Sequence, residues 1–291
     1  SEQVQLDKKK SMKEEKIRAF MKNKLAVAGA VLLLTMIVLA ALSPIIAPYG
    51  FDEQNYEIAR QTPSLQHLAG TDELGRDIFS CIWHGGRVSL LIGVASTALS
   101  TVIAIVYGAI SGIAGEKVDT LLMRFTEIIL SIPNLLLIIF LQAIMGKATI
   151  GSISIVIGLT SWFGIAKIIR TEVRQLRSSE YVIAAKCMGG SFWHILWKHL
   201  APNFVSSIMF MVVMNVRSAI VAESTLSFLG IGLPLDVISW GSMLSLAEKA
   251  LMSRAWWIVL IPGIFLVVVL MCITSLGHWL QVRVSHQEAK L

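Results

Sequence analysis

Long apolar segments separated by shorter polar ones dominate the chain. A helix that crosses a bilayer needs about 20 mainly apolar residues, and six segments meet this requirement. The pattern therefore predicts an all-α polytopic membrane protein with six transmembrane helices. The predicted spans are residues 25–46, 88–113, 119–145, 150–169, 204–228 and 255–280.

Residues 181–203, YVIAAKCMGGSFWHILWKHLAPN, interrupt this pattern between the fourth and fifth spans. Apolar side chains recur here at helical spacing in two short stretches that meet at Gly189-Gly190. The first face consists of Tyr181, Ala184, Ala185 and Met188, and the second of Phe192, Ile195, Leu196, His199 and Leu200. Ser191 is placed to cap the second stretch, and Pro202 is placed to end it or to begin the next helix. The segment predicts a helix–turn–helix with an apolar face on each arm.

The composition supports a membrane protein. Hydrophobic residues make up 55% of the 291 residues and charged residues only 15%, with a mean hydropathy of +0.71, whereas soluble domains carry about 25% charged residues. The net charge of +6 does not by itself indicate nucleic acid, because the position of the charges matters more than their sum. Cys81, Cys187 and Cys272 are too widely spaced to predict a metal cluster or a disulfide framework.

Basic residues lie mainly on one side of the predicted spans. The N-terminal tail, the turn at Lys117 and Arg124, the 167–198 segment and the C-terminal tail together contain 18 Lys and Arg residues. The opposite loops contain six, and Arg217 lies within a span. The positive-inside rule therefore predicts that both termini and residues 170–203 lie in the cytoplasm.

These assignments predict a multi-pass protein of the cytoplasmic (inner) membrane. The first apolar run is longer than the core of a signal peptide, about 7–15 residues, so we expect it to be retained as the first span. The predicted division is a basic cytoplasmic tail (1–24), the first span (25–46), an extracytoplasmic loop (47–87), a five-helix core (88–285) that includes the cytoplasmic segment 170–203, and a cytoplasmic tail (286–291).

No motif in the chain predicts catalysis. The sequence Gly146-Lys147-Ala148-Thr149 lacks the earlier glycine and the preceding strand of a phosphate loop. Ser191 lies near two histidines but at a helix start, where N-capping is the commoner role. We expect the chain to bind no ATP or metal and not to be an enzyme.

Three polar or helix-breaking residues within the spans are candidates for a translocation path. Pro133 should kink span three, and Arg217 lies too deep in span five to reach the cytoplasmic interface. Glu223 lies six residues after Arg217, on a different helix face. The alternative for Arg217 is a structural ion pair with Glu127 or with another chain. A GxxxG pattern at Gly108 predicts close helix packing rather than a binding site.

Several blocks resemble one family of membrane proteins. Ala184-Ala185, Gly189 and Pro202 resemble the EAA loop of binding-protein-dependent ABC importer permeases. The blocks GTDELGRDIFSCIWHGGRVSL, DTLLMRFTEIILSIPNLLL and AESTLSFLGIG with SWGSML are similar to the C-type permease subunit of the dipeptide/oligopeptide/nickel family. Ile183 replaces the acidic residue that gives the EAA loop its name, Glu180 lies three residues earlier, and the usual Leu-Pro end is Ala201-Pro202.

The resemblance implies a type I ABC importer permease fold with a cytoplasmic coupling helix. It also implies that the chain pairs with a homologous second permease subunit, two cytoplasmic ATPases that bind ATP and magnesium, and an extracytoplasmic substrate-binding protein. An amphipathic helix docked in a protein groove would explain the two apolar arms. The residues that the resemblance assigns to ATPase coupling are Glu180, Tyr181, Ala184, Ala185, Met188, Gly189, Gly190, His199 and Pro202.

The cargo is left open between peptides, which the resemblance favours, and nickel or another metal chelate. A different class of function, an ion channel or a membrane scaffold, also fits the pattern of spans. Dependence on ATP would distinguish the importer from these alternatives. A nucleic-acid-binding helix–turn–helix is excluded because both ends of the segment are joined to spans.

Overall fold

The computed structural model describes residues 11, 14, 15 and 17–288, and over these residues the regular structure is helical apart from one isolated bridge between Thr71 and Asp77. Residues 17–22 are helical and precede the first long helix, and short helical turns lie at Ser43–Ile46 and Tyr56–Ile58. The remaining helices are α1 (Lys24–Ala41), α2 (Ile78–Ile113), α3 (Glu116–Leu130), α4 (Asn134–Met145), α5 (Ile150–Thr160), α6 (Phe163–Leu176), α7 (Glu180–Cys187), α8 (Phe192–Phe228), α9 (Trp240–Leu244), α10 (Ala247–Met252) and α11 (Trp257–Glu288).

Six membrane spans result when each bent helix pair is counted as one. Helices α1, α2, α8 and α11 are each long and apolar enough to cross a membrane. Helices α3 and α4 form one broken span, bent by 90°, and α5 and α6 form another, bent by 44°. The prediction of an all-α polytopic protein with six spans is confirmed. The 90° bend lies at Pro133, directly before α4, where the sequence predicted a kink.

The second span begins earlier than predicted. Helix α2 starts ten residues before the predicted start at 88, so the end of the 47–87 loop is helical. The Asp77 side chain accepts a hydrogen bond from a backbone amide in the first turn and caps the helix. Gly86 remains inside the helix because the Trp240 indole packs against it, and a Cβ at Gly86 would lie only 2.9 Å from the Trp240 ring.

Helix α2 is the centre of the bundle and packs against α1, α5, α6 and α8. Gly108 and Gly112 allow the closest of these approaches. A Cβ at Gly108 would lie 2.5 Å from the Ala166 carbonyl oxygen, and one at Gly112 would lie 2.7 Å from Val173 Cβ. The helix-packing role predicted for this GxxxG pattern is therefore confirmed.

The bundle has two distinct ends. We call the end that carries residues 177–200 the hinge end and the end that carries residues 47–77 and 229–254 the loop end. At the loop end, the buried Arg76 pairs with Asp72 at 2.7 Å and donates a hydrogen bond to the Leu235 carbonyl oxygen at 2.9 Å. These contacts tie the two long connections to each other.

Candidate functional site

Helix α7 ends in a turn that requires glycine. Gly189 has a φ of +79°, in the left-handed region that favours glycine. The Gly189 amide donates to the Lys186 carbonyl and the Gly190 amide to the Ala185 carbonyl, both at 3.0 Å. These two bonds form a Schellman motif. A Cβ at Gly189 would meet no heavy atom within 4 Å, so the backbone conformation, and not lack of space, requires glycine.

The second arm of the hinge is continuous with span five. The Ser191 hydroxyl accepts a hydrogen bond from the His194 amide at 3.3 Å, as the capping pattern predicted. From there α8 runs unbroken through span five, so the arm does not end at Pro202. Leu196–Leu200 form a π turn directly before this proline. Since proline lacks an N–H and its ring crowds the preceding turn, a wider turn at this point lets the helix continue.

The faces that the two arms bury differ from those predicted. Val182 and Ala185 of α7 are buried, together with Ile195, Leu196 and Leu200 of α8. They belong to one apolar cluster that also contains buried residues of α6. Most side chains of the predicted second face therefore pack inside the protein. Ala185 is 4% exposed, so its side chain is not available to a partner, contrary to the prediction.

A different set of large apolar side chains faces outward from the hinge. Met188 is 81% exposed and Trp197 is 56% exposed. We call the set the exposed hinge surface, and it consists of Tyr181, Ile183, Met188, Trp193 and Trp197. Two of its members, Tyr181 and Met188, were predicted. Exposed apolar side chains gathered on one surface are typical of a site that binds another protein or a membrane.

The other predicted coupling residues lie around this surface. Glu180 and Ala184 are exposed on α7. His199 is half-buried, and its ring centroid lies 6.1 Å from that of Tyr181 and 6.0 Å from that of His194. Gly190 packs closely, since a Cβ there would lie 2.8 Å from the Ala185 carbonyl oxygen. The structure thus brings the predicted coupling residues into one region, with Ala185 beneath it.

An ion-pair cluster anchors the helix that leads into the hinge. Asp119, in the first turn of α3, is buried and pairs with both Arg170 and Arg174 of α6. It also accepts a hydrogen bond from Ser111 near the end of α2. One carboxylate therefore joins three helices at the hinge end. Such charge-assisted contacts are stronger than neutral hydrogen bonds.

The sequence contained only part of the signal for this cluster. Arg170, Arg174 and Arg177 recur at i, i+4 and i+7, the spacing of one helix face, but the sequence interpretation used them only as markers of orientation. Arg177 extends the same anchor, since its guanidinium donates to the carbonyl oxygens of Gly112 and Ala114 at 3.3 and 3.2 Å. The partner Asp119 lies 51 residues before Arg170, and spacing alone does not identify so distant a contact.

Arg217 and Glu223, the two charged residues suggested for a translocation path, are not paired with each other. Among the residues that the structure describes, no carboxylate lies within ion-pair distance of Arg217, and its Nε atom has no hydrogen-bond partner. Glu127, the suggested structural partner of Arg217, instead pairs with Arg124 at 2.9 Å. Arg217 itself is half-buried.

Glu223 does not face an open path in this structure. Its side chain is 0% exposed, and Oε1 accepts hydrogen bonds from Ser227 and Ser239, both at 2.7 Å. A Cβ at Gly241 would lie 3.1 Å from the same oxygen, so the connection at the loop end closes over the carboxylate. Glu223 therefore joins α8 to this connection.

The chain matches known proteins over nearly its whole length. The family model described as "Binding-protein-dependent transport system inner membrane component" matches residues 64–286, more than half of the chain. The chain belongs to this family of permeases. A second model, for the N-terminal transmembrane domain of oligopeptide transport permease C, matches residues 12–64. The family resemblance inferred from the sequence blocks, including the C-type subunit, is thereby confirmed.

Relatives of this permease include transport proteins from several bacteria. It is 37% identical to the dipeptide transport system permease protein DppC of Bacillus subtilis over 91% of this chain and 82% of that protein. It is 36% identical to the oligopeptide transport system permease protein OppC of the same organism, over 92% of this chain and 85% of that one. It is 35% identical to OppC of Haemophilus influenzae, over 96% and 90% of the two chains.

Proposed function

We propose that this permease is a transmembrane subunit of an ATP-driven, binding-protein-dependent importer of peptides. The observation that carries the proposal is the exposed hinge surface, because five large apolar side chains at α7 and at the start of α8, outside the predicted spans, need a protein partner. The chain's family, whose members act in transport systems fed by a binding protein, supports this interpretation.

The proposed partner at the hinge is a cytoplasmic ATPase. The distribution of basic residues favours a cytoplasmic hinge end, with both termini on the same side. In this proposal, two ATPase subunits bind ATP and magnesium, a homologous second permease completes the pathway, and a binding protein delivers cargo at the loop end.

The geometry suggests how movement of an ATPase would reach the spans. The Asp119 cluster holds α6, so α7 would turn about the short segment 177–179 that follows it. The Schellman turn at Gly189 links α7 to α8, which is 37 residues long and therefore about 55 Å at 1.5 Å per residue. A small displacement of α7 would thus tilt a whole span, as alternating access requires.

The cargo proposed for this chain is a peptide. The relatives described above are named for dipeptides and oligopeptides, which favours peptides over nickel or a metal chelate. The described residues also contain no group of three or more His, Cys, Asp or Glu side chains arranged to hold a metal ion. A channel or scaffold would work without ATP, so the transport assay below also tests these alternatives.

The test uses two methionines of nearly equal exposure. Met188 on the hinge is 81% exposed and Met252 at the loop end is 84% exposed. Burial of a methionine side chain contributes about 1.5–3 kcal/mol, so we expect Met188→Gln to weaken ATPase binding about tenfold or more. Met252→Gln is the matched control and should leave ATPase binding unchanged.

Two measurements decide the outcome. Affinity for the ATPase is measured with the purified subunits, and uptake of a labelled dipeptide is measured in proteoliposomes that contain the complete complex with its binding protein. ATP-dependent uptake that falls in Met188→Gln alone supports the proposal. Uptake without ATP would contradict it, as would equal effects of the two substitutions.

A further inference from the structure

A groove at the hinge end runs between α1 and α11, away from the hinge itself. It consists of two cavities of about 400 and 270 Å³. Both are lined by Leu25 and Ser275, so they form one continuous depression. The groove begins at the end of the spans and continues along them toward the bilayer interior.

The wider cavity, at the end of the spans, has a mostly apolar lining with one arginine. Its polar members are Asn23, Ser275, His278, Trp279 and Arg283. The Arg283 guanidinium lies 5.1 Å from the Trp279 ring centroid, a cation–π contact that holds the charge at the groove. Tryptophan is also typical of the level where lipid headgroups meet the hydrocarbon region.

Two further cations are neighbours of the groove residue Asn23 in the sequence. Lys22 and Lys24, the latter at the start of α1, are both exposed. Basic residues that flank a span in this way attract anionic lipid headgroups. The charge of the opening is therefore complementary to a phosphate group rather than to a cationic or neutral ligand.

The narrower cavity is apolar, and some of the residues that line it are small. Its lining includes Ala28, Gly29, Leu32, Val268 and Met271. Leu32 lies eight residues into the membrane from Lys24, about 12 Å along the helix. This part of the groove is thus at the depth of lipid acyl chains, and the exposed Ala28 has a side chain small enough to leave room for one.

We propose that this groove binds an anionic phospholipid, with its phosphate group near Arg283 and one acyl chain along Ala28 and Gly29. The basic side chains near the opening and the apolar groove beyond them match the headgroup and the acyl chains of such a lipid in their order along the spans. The inference depends on the membrane placement of α1 and α11 and not on the coupling role of the hinge, so either proposal can fail without the other.

The test is native mass spectrometry of the complete importer complex, titrated with phosphatidylglycerol or with phosphatidylcholine of the same acyl chains. We expect tighter binding of phosphatidylglycerol at one site. Loss of one basic residue near an anionic headgroup should weaken binding about fivefold, so we expect this effect for Arg283→Gln. Lys117→Gln removes an exposed charge at the same end, outside the groove, and should have no effect.

A second variant tests the acyl part without changing any charge. Ala28→Phe would fill the narrow cavity and should reduce retention of both lipids while leaving the basic opening intact. Equal affinity for the two lipids, an equal loss in Lys117→Gln, or full binding in Ala28→Phe would each overturn the proposal. A disulfide between Ala28→Cys and the second permease would also overturn it, since it would show that protein occupies the groove.

Discussion

Replacement of Gly189 by valine tests the backbone geometry of the hinge separately from its side-chain packing. The residue has a φ of +79°, and the space around its Cβ position is open. A Cβ at this position would therefore meet open space, and the substitution mainly perturbs the left-handed turn. The chain offers a matched control: Gly230 (φ +78°) also has no heavy atom within 4 Å of a Cβ, and it lies away from the hinge.

The expected free-energy cost is similar at the two positions. A left-handed conformation costs a residue with a Cβ about 1–2 kcal/mol, and a branched side chain is at the upper end of this range. Valine also reduces the conformational freedom of the unfolded chain, and this offsets about 0.4–1 kcal/mol of that cost. The net cost of about 1 kcal/mol would lower the population of the Schellman turn relative to other conformations of the hinge roughly fivefold.

The assay measures peptide uptake and ATP hydrolysis in the same proteoliposomes. We predict that Gly189→Val lowers the number of peptides imported per ATP severalfold, whereas Gly230→Val lowers thermal stability to a similar extent and leaves this ratio unchanged. Asparagine tolerates the left-handed region, so Gly189→Asn should recover most of the lost coupling.

Two results would contradict a role of this turn in coupling. If Gly189→Val imports as many peptides per ATP as Gly230→Val, the turn at Gly189 does not transmit movement. If Gly189→Asn fails as fully as valine, the backbone conformation is not the property that matters.

Two further predictions concern charged groups. Asp119→Asn should lower the melting temperature and peptide uptake together, because Arg170 loses its partner. The expected loss of stability is about 1–3 kcal/mol. Glu127→Gln, which removes an exposed ion pair, should change the melting temperature little. Arg217→Gln should lower uptake without lowering the melting temperature if the half-buried guanidinium faces the transport path. An equal fall in the melting temperature would instead indicate a structural ion pair with another chain.

The spans could be predicted from the sequence because their signal is local and strong. A run of about 20 apolar residues has few alternatives to a membrane span, and Pro133 marks the bend because proline removes a backbone hydrogen bond. The sequence signals for the GxxxG packing and for the Ser191 cap are equally local. Helix α2 starts ten residues before the predicted start at 88, and the structure uses the paired glycines at 85–86 in this stretch for close packing.

The orientation of the hinge faces could not be predicted in the same way. Helix α7 carries apolar side chains at five consecutive positions, 181–185, so helical spacing fits more than one buried face. Which face is buried depends on α6, and α6 in turn is held by Asp119 through contacts that span 51 residues. The exposed positions of Trp193 and Trp197 follow from this tertiary arrangement and not from the local pattern.

Helix α8 connects the hinge to the loop end, and Glu223 determines how that end responds. Its carboxylate is fully buried and is held by Ser227 of α8 and by Ser239 of the 229–254 connection. Separation of α8 from the connection would break the hydrogen bond from Ser239 to this buried carboxylate, which is costly. A tilt of α8 would therefore carry the connection with it, and movement at the hinge would reach the opposite side of the membrane through a single helix.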